Sequence, residues 1–165
     1  ISRGLVGSEM CIRDRSGTFI IHEKFNNGYN EAISFALRDK RIANSDAIVI
    51  LPGDIPLITT EEIENFINDA PKNGIRIAPD RDREGTNALL LAPPTLIKTQ
   101  FGKLSYSRHL ELAEKCCSNV EVIDSDGLAF DIDSPEDLKD FCGTASSTKS
   151  YEFLKRNGIA ASLLG

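Results

Sequence analysis

Long hydrophobic segments are absent from this 165-residue sequence. No run of about 18 apolar residues occurs, and no apolar core of about 7–15 residues follows a basic start, so we expect neither a membrane span nor a signal peptide. Basic residues number 19 against 25 acidic ones, and they form no cluster that could neutralise a run of phosphates. We therefore expect a cytoplasmic protein that binds neither membranes nor nucleic acid.

Several common catalytic signatures are also missing. The four cysteines show no C-x-x-C spacing, and the adjacent pair Cys116 and Cys117 is poorly placed to hold one zinc ion, so we interpret all four as free thiols. Neither a G-x-x-x-x-G-K-[ST] loop nor a G-x-G-x-x-G loop occurs. His22 and His109 are isolated, and we expect His109 to line the start of a helix. The sequence thus offers no catalytic nucleophile.

Residues 1–15 differ from residues 16–165 in their pattern of apolar and polar residues. Residues 1–15 follow neither a helical nor a strand period and resemble translated adapter read-through, so we expect a foreign or disordered leader; a poorly ordered native N-terminus is the alternative. Residues 16–165 contain no repeat or linker. At roughly 150 residues per domain, they are expected to form one domain.

Strand-like and helix-like patterns alternate in the rest of the chain. Residues 47–51 are a continuous apolar run, as in a strand that is covered on both faces of a parallel sheet. The other predicted strands are 18–22, 74–79, 87–91, 120–123 and 128–132. Five helices are predicted: one from about residue 30, one from 59 to about 69, one over 105–116, one that begins at Ser134-Pro135, and one over 148–156 that is ended by Gly158. The second begins with a capping box at 59–62 and has Ile63, Phe66 and Ile67 on its inward face. This alternation indicates an α/β fold.

Acidic residues follow two of these strands. Asp54 comes just after the apolar run, where α/β sheets bind ligands, and Asp131 and Asp133 share one face of the strand predicted before them. The three carboxylates suit Mg²⁺ if their strands are neighbours. Alternatively, Asp54 forms a turn through its own backbone, and Asp133 interacts with the dipole of the following helix.

A candidate anion site lies elsewhere in the sequence. Gly102 lets the backbone approach a ligand, and Ser105 at a helix N-terminus offers N–H groups and a hydroxyl to phosphate or carboxylate, with Thr86 before a neighbouring strand. The residues that could add positive charge are Arg81, Arg83, Lys103 and Arg108. The simpler interpretation makes Ser105 only a helix cap.

Five motifs in order resemble the 2-phospho-L-lactate guanylyltransferase family over about residues 17–141. They are LPGDIPL at 51–57, APDR at 78–81, GTNAL at 85–89, FG with Ser105 and Arg108-His109, and GLAFDIDSPEDL at 127–138. The resemblance implies a nucleotide-diphosphosugar-transferase-like (GT-A-like) fold, a mostly parallel sheet with flanking helices. It also implies transfer of GMP from GTP to 2-phospho-L-lactate or phosphoenolpyruvate, with release of pyrophosphate, in biosynthesis of the deazaflavin coenzyme F-420.

Site residues follow from the same resemblance. It implies that Thr86, Gly102 and Ser105 hold the phospho-acid and that Asp54, Asp131 and Asp133 hold Mg²⁺, which are the two sites indicated by the residues themselves. Gly28 and Asn30 match a nucleotide-binding segment of the family, with Tyr29 in place of its usual leucine.

One departure from the family concerns the start of the chain. The family opens with roughly 60 to 80 residues that carry a βαβ unit and a basic loop for the GTP phosphates. We expect that this unit is missing here, that the chain is a truncated form which can be inactive alone, and that an unpaired sheet edge favours a homodimer or aggregation. The alternatives are a molybdenum-cofactor-type nucleotidyltransferase and an inactive fragment that binds a phospho-acid.

Overall fold

A computed structural model describes residues 19–22, 27–116, 119–144 and 147–165 of the chain. The strands are β1 Ile48–Ile50, β2 Gly74–Pro79, β3 Thr86–Ala92 and β4 Asn119–Val122. The helices are α1 Tyr29–Ala36, α2 Lys40–Ala43, α3 Thr60–Ile67, α4 Ser105–Lys115, α5 Asp126–Ala129, α6 Pro135–Gly143, α7 Lys149–Arg156 and α8 Ile159–Leu164. The predicted leader at 1–15, Cys11 and Cys117 lie outside the described residues.

The four strands form one sheet in the order β1-β3-β2-β4. Strand β3 runs antiparallel to both β1 and β2, whereas β2 and β4 are parallel. The α/β class is confirmed, but among the described strands the sheet is mixed rather than mostly parallel. The carboxyl ends of β1, β2 and β4 therefore meet the amino end of β3 at one edge of the sheet.

Apolar side chains cover the sheet on both faces, because alternate residues of a strand point to opposite sides. On β3, Ala88, Leu90 and Ala92 join one cluster, which includes Phe66 of α3. Leu89 and Leu91 join the other, which is closed by α4 through Ala113. The loops that carry the polar residues lie at the edge where β3 begins, beyond these two clusters.

Strand β1 differs from its prediction. It is only three residues long, is partly rather than fully buried, and lies at the end of the described sheet in antiparallel contact with β3. The interpretation of residues 47–51 as a strand within a parallel sheet is therefore wrong for the described residues. A short apolar run carries no information on the direction of its neighbour, since both sheet types accept it.

Two other predicted strands are not found. Residues 128–132 are not a strand: helix α5 ends at Ala129, and non-helical backbone follows it. The described part of the strand predicted at 18–22 is also irregular, and Phe19 and Ile20 are exposed. In both segments the apolar residues predicted a strand, but no partner strand in the described residues pairs with them.

Most helix predictions are confirmed. The capping boxes at Thr59/Glu62 and Ser134/Asp137 are both formed, and Gly158 in the left-handed conformation follows the end of α7. Helices α2, α5 and α8 were not predicted. Ile67, expected to face inward, is 43% exposed because α3 ends there, whereas Phe66 is 1% exposed. No helix in the described part of the chain is long and apolar enough to cross a membrane.

Glu62 links α3 to α5. Its carboxylate accepts hydrogen bonds from Thr59 N at 2.9 Å and Thr59 Oγ1 at 2.8 Å, and from Ser125 Oγ at 2.6 Å and Gly127 N at 2.8 Å. Burial alone would raise the pKa of Glu62, but these bonds to the charged form lower it. A Cβ on Gly127 would clash with the Glu62 carboxylate, so any larger residue there would require Glu62 to shift from these hydrogen bonds.

We predict that Glu62→Gln lowers the free energy of unfolding by about 1–3 kcal/mol, because the new amide faces donors that need an acceptor. Chemical denaturation measures this change, with the exposed neighbour Glu61→Gln as control at under about 0.5 kcal/mol. Because the folded pKa of Glu62 is lowered, its stabilisation is present above the unfolded pKa and is lost as the pH falls through the folded value. Equal effects of the two substitutions would contradict this assignment.

Candidate active site

A cavity of about 430 Å³ opens at the polar edge of the sheet. Its walls come from α1, from the loops after β1 and α5, from the β2–β3 turn with the start of β3, and from the loop before α4. The lining residues are Tyr29, Pro52, Asp54, Asp80, Glu84, Gly85, Thr86, Asn87, Phe101, Gly102, Lys103, Leu104, Ser105, Asp131 and Asp133. All six residues predicted to hold Mg²⁺ or the phospho-acid through family resemblance thus line one cavity.

The three predicted metal ligands are brought together by a backbone contact. Ile132 N donates to Asp54 O at 3.1 Å, which fixes the segment after α5 against the turn after β1. Asp131 and Asp133 flank the donating residue, and both line the cavity with Asp54. The three residues therefore line one cavity, although they do not converge as a three-carboxylate metal site among the described residues, and non-helical backbone rather than a strand presents Asp131 and Asp133. Their role as metal ligands stays a prediction.

The carboxyl group of Asp131 has a raised pKa. Burial raises its pKa, and the charges of Asp133 and Asp80 raise it further. The Asn87 side chain acts in the opposite direction by stabilising the charged form. Even so, Asn87 Nδ2 is buried without a hydrogen bond of normal geometry among the described residues, so its contact with Asp131 is loose. Asp131 consequently lacks full compensation for its charge.

The donor set fits a hard cation that is shared with a ligand. Carboxylate oxygens are preferred ligands of Mg²⁺, which proteins commonly bind through one or two carboxylates plus substrate phosphates. Within the described ranges, no three His, Cys, Asp or Glu side chains converge into a ready-made metal site. The cavity therefore suits Mg²⁺ held jointly by Asp54, Asp131 or Asp133 and a phosphate, rather than an all-protein cage.

Asp80 is a fourth carboxylate at the cavity, and the sequence interpretation gave it no role. It begins the β2–β3 turn and accepts from Glu84 N at 2.9 Å and Gly85 N at 2.6 Å. These bonds hold the charged loop 80–85, which contributes Asp80, Glu84 and Gly85 to the cavity lining although residues 81–84 are exposed to solvent. The D-x-x-x-x-G spacing from Asp80 to Gly85, which suits a side-chain-capped turn, was the available signal.

The start of α4 differs from its prediction. Ser105 is the first helical residue and not the cap, because Leu104 occupies the N-cap in a left-handed conformation. Ser105 N donates to Gly102 O at 2.9 Å and Tyr106 N to Glu84 O at 3.1 Å. Two N–H groups expected to bind an anion are thus used within the protein. Ser105 and Gly102, whose φ of 111° suits glycine, still line the cavity.

The predicted cationic residues lie mostly elsewhere. Arg81 pairs with Asp137 and packs over the Phe130 ring, and Arg108 is exposed on α4; neither lines the cavity. Arg83 pairs with Asp124 at 2.6 Å. Lys103 is the one basic residue among the lining residues, which include five carboxylates. Phosphate contacts by Arg81 and Arg108 remain predictions that require these side chains to move.

The predicted nucleotide segment adjoins the cavity through Tyr29, which lies between Gly28 and Asn30. Asn30 holds the loop before α4 with two hydrogen bonds: its Nδ2 donates to Phe101 O at 2.9 Å, and its Oδ1 accepts from Phe101 N at 2.8 Å. The Tyr29 and Phe101 rings meet edge to face at 4.9 Å. Asn30 therefore shapes the wall, and nucleotide contacts by Gly28 and Asn30 remain predictions.

His109 lies directly behind the cavity wall and is fully buried. Its Nδ1 is 3.0 Å from Thr86 Oγ1, and its Nε2 accepts from Gln100 N at 2.9 Å. Burial lowers the pKa of His109 to about 4, and the charge of Arg108 contributes. The sequence placed His109 near the helix start but gave no signal for its link to Thr86.

This pKa predicts a pH-dependent stability. The neutral imidazole stabilises the fold fully above the unfolded pKa of about 6.5, and this contribution is lost as the pH falls toward about 4. The loss is on the order of 3 kcal/mol, at about 1.4 kcal/mol per pKa unit. Chemical denaturation between pH 7 and 4 measures it, and His109→Gln should show a shallower fall because glutamine does not titrate. Parallel profiles would contradict the assignment.

Comparisons with known proteins give one family. The family described as "Guanylyl transferase CofC like" matches residues 9–163. A phosphoenolpyruvate guanylyltransferase of Sphaerobacter thermophilus is 37% identical over 72% of this chain and 57% of its own length. A 2-phospho-L-lactate guanylyltransferase of Methanocaldococcus sp. is 35% identical over 84% of this chain and 59% of its own length. The chain thus spans under two thirds of these curated relatives.

A solved structure supports the fold. A crystal structure from Desulfovibrio desulfuricans G20, assigned as a nucleotide-diphospho-sugar transferase, superposes with a TM-score of 0.64 over 85% of this chain and 64% of that one. At 18% sequence identity, this likeness concerns the fold alone. The nucleotide-diphosphosugar-transferase-like architecture predicted from the sequence is confirmed.

Proposed function

Because this chain belongs to the CofC-like guanylyl transferase family, we propose that it acts in transfer of GMP from GTP to a phospho-acid, 2-phospho-L-lactate or phosphoenolpyruvate. Pyrophosphate is the second product, and the guanylylated acid is a precursor of coenzyme F-420. The observation that carries the proposal is one cavity that is lined by Asp54, Asp131 and Asp133 together with Thr86 and Ser105. The carboxylates can bind a cation, and the hydroxyls can bind an anion.

The acceptor binds in this cavity. Its phosphate or carboxylate accepts hydrogen bonds from the hydroxyls of Thr86 and Ser105, while Gly102 allows the acid to approach the backbone. Lys103 adds one positive charge to the cavity lining. Both groups of the acceptor are anionic, so each donor contributes more than a bond to a neutral ligand would.

Charge balance requires a cation in the same cavity. Five carboxylates and one lysine line the cavity, and an acceptor with two anionic groups would add to this excess. Asp54, with Asp131 or Asp133, would hold Mg²⁺ together with a substrate phosphate, and the ion would offset the repulsion and stabilise charge on the transferring phosphate. GTP also brings negative charge, which makes the same requirement stronger.

The chemistry needs no protein nucleophile. A phosphate oxygen of the acceptor attacks the α-phosphorus of GTP and forms the new P–O bond, while the bond from the α-phosphorus to the bridging oxygen breaks and pyrophosphate leaves with those electrons. Catalysis of this kind depends on positioning and electrostatic stabilisation. Thr86 and Ser105 orient the attacking group, and contacts of Gly28 and Asn30 with the nucleotide belong to this proposal.

The test combines GTP, MgCl₂ and each phospho-acid with the chain and follows acceptor-dependent pyrophosphate release and the guanylylated product by mass spectrometry. We expect Asp54→Asn to lower turnover at least about 100-fold, because one anionic metal ligand is lost. The exposed carboxylate Asp46, outside the cavity, gives the matched control Asp46→Asn, which should retain turnover.

The other outcomes separate the alternatives. Acceptor binding without pyrophosphate release would contradict transfer by this chain and support a phospho-acid-binding fragment. A product formed only with a molybdenum-cofactor acceptor would favour that class of nucleotidyltransferase. Equal turnover of wild type and Asp54→Asn would reject the role of Asp54. The cytoplasmic location and the homodimer remain predictions.

A further inference from the structure

His109 connects two walls of the cavity from behind. Its ring lies between Thr86, the first residue of β3, and Gln100, in the loop that leads to α4. The Phe101 ring contacts it edge to face at 5.0 Å between centroids. No atom of His109 lines the cavity, so the residue can influence a ligand only through its partners.

The two hydrogen bonds determine which nitrogen carries the proton. Gln100 N is a backbone donor, so His109 Nε2 must offer its lone pair. A neutral imidazole then carries its single proton on Nδ1, which lies 3.0 Å from Thr86 Oγ1. His109 Nδ1–H is therefore the donor of this pair, and the Thr86 hydroxyl oxygen is the acceptor.

This assignment constrains the Thr86 hydroxyl. Because its oxygen accepts from His109, its own proton points away from the imidazole, and Thr86 lines the cavity. We propose that His109 is a positioning residue, which orients the Thr86 hydroxyl as a donor to the anionic group of the phospho-acid. The proposal rests on the proposed function, in which Thr86 contacts the acceptor.

The orientation also favours anions over other ligands. A hydroxyl that already accepts one bond and aims its proton at the cavity is suited to a carboxylate or phosphate oxygen, which can only accept. A hydroxyl free to rotate would lose this preference and would need to be ordered when the ligand binds. Burial of the imidazole maintains the arrangement, because a protonated ring would present Nε2–H to the Gln100 N–H.

Two substitutions of His109 separate the effects of its two hydrogen bonds, because each retains one and removes the other. The amide nitrogen of asparagine can occupy the place of Nδ1, so His109→Asn retains a donor to Thr86 but loses the acceptor for Gln100 N. The carbonyl oxygen of glutamine can occupy the place of Nε2, so His109→Gln retains the acceptor but loses the donor to Thr86. Glu111→Gln, at an exposed position of α4, is the neutral control.

The experiment titrates phosphoenolpyruvate into the 165-residue chain with MgCl₂ and measures the dissociation constant by calorimetry. We expect about three- to tenfold weaker binding for His109→Gln and a smaller loss for His109→Asn. Thr86→Val should weaken binding about tenfold or more, because a donor to an anion is removed. In the Thr86→Val background, His109→Gln should have no further effect.

Each other outcome has a definite meaning. If His109→Gln weakens binding equally with and without the Thr86 hydroxyl, the imidazole acts structurally and the inference is wrong. If His109→Asn weakens binding more than His109→Gln, the contact to Gln100 is the important one, and the inference is also wrong. If wild type binds no phospho-acid, the proposed function fails, and the inference fails with it.

A second measurement tests the tautomer without any ligand. Nitrogen NMR of the imidazole should show a protonated Nδ1 and an unprotonated Nε2 near pH 7, with a hydrogen bond from Gln100 N to the latter. A proton on Nε2 would overturn the orientation assigned to Thr86, even if phosphoenolpyruvate binds. This outcome is therefore distinct from failure of the proposed function.

Discussion

An excess of carboxylates in one partly buried cavity is the feature on which this site depends. Asp54, Asp131 and Asp133 face one space, where Asp80 and Glu84 add to their charge and Lys103 offsets only part of it. The raised pKa of Asp131 reports the combined effect of burial and this repulsion. An arrangement of this kind opposes folding, so it is consistent with a site that gains its stability from a cation and a bound anion.

Other parts of the fold hold these residues in place despite the repulsion. The Ile132–Asp54 backbone bond joins two acidic segments, and Glu62 anchors the short helix just before Asp131. Elsewhere around the cavity, Asn30 fixes the loop at Phe101, and His109 connects that loop to Thr86. Both groups of residues are therefore set before a ligand arrives, which reduces the entropic cost of binding.

Much of this arrangement could be predicted from the sequence because it depends on local patterns. Examples are the capping box of Thr59 and Glu62, strand β2, and the acidic residues at the ends of segments. Features that depend on contacts between distant residues could not be predicted. Strand β1 has the same apolar run in either orientation, and residues 128–132 look like a strand although Glu62 holds the start of that region as a helix. The partnership of Thr86 with His109 likewise spans two elements that no local pattern connects.

The most direct test of this account is the dependence of acceptor binding on magnesium. Calorimetric titration of phosphoenolpyruvate at several MgCl₂ concentrations should show affinity that rises at least about tenfold from metal-free to millimolar conditions, because acceptor and carboxylates share the cation. Asp131→Asn should reduce this linkage. Affinity that is independent of magnesium, in wild type and variant alike, would contradict the claim that carboxylate charge governs this site.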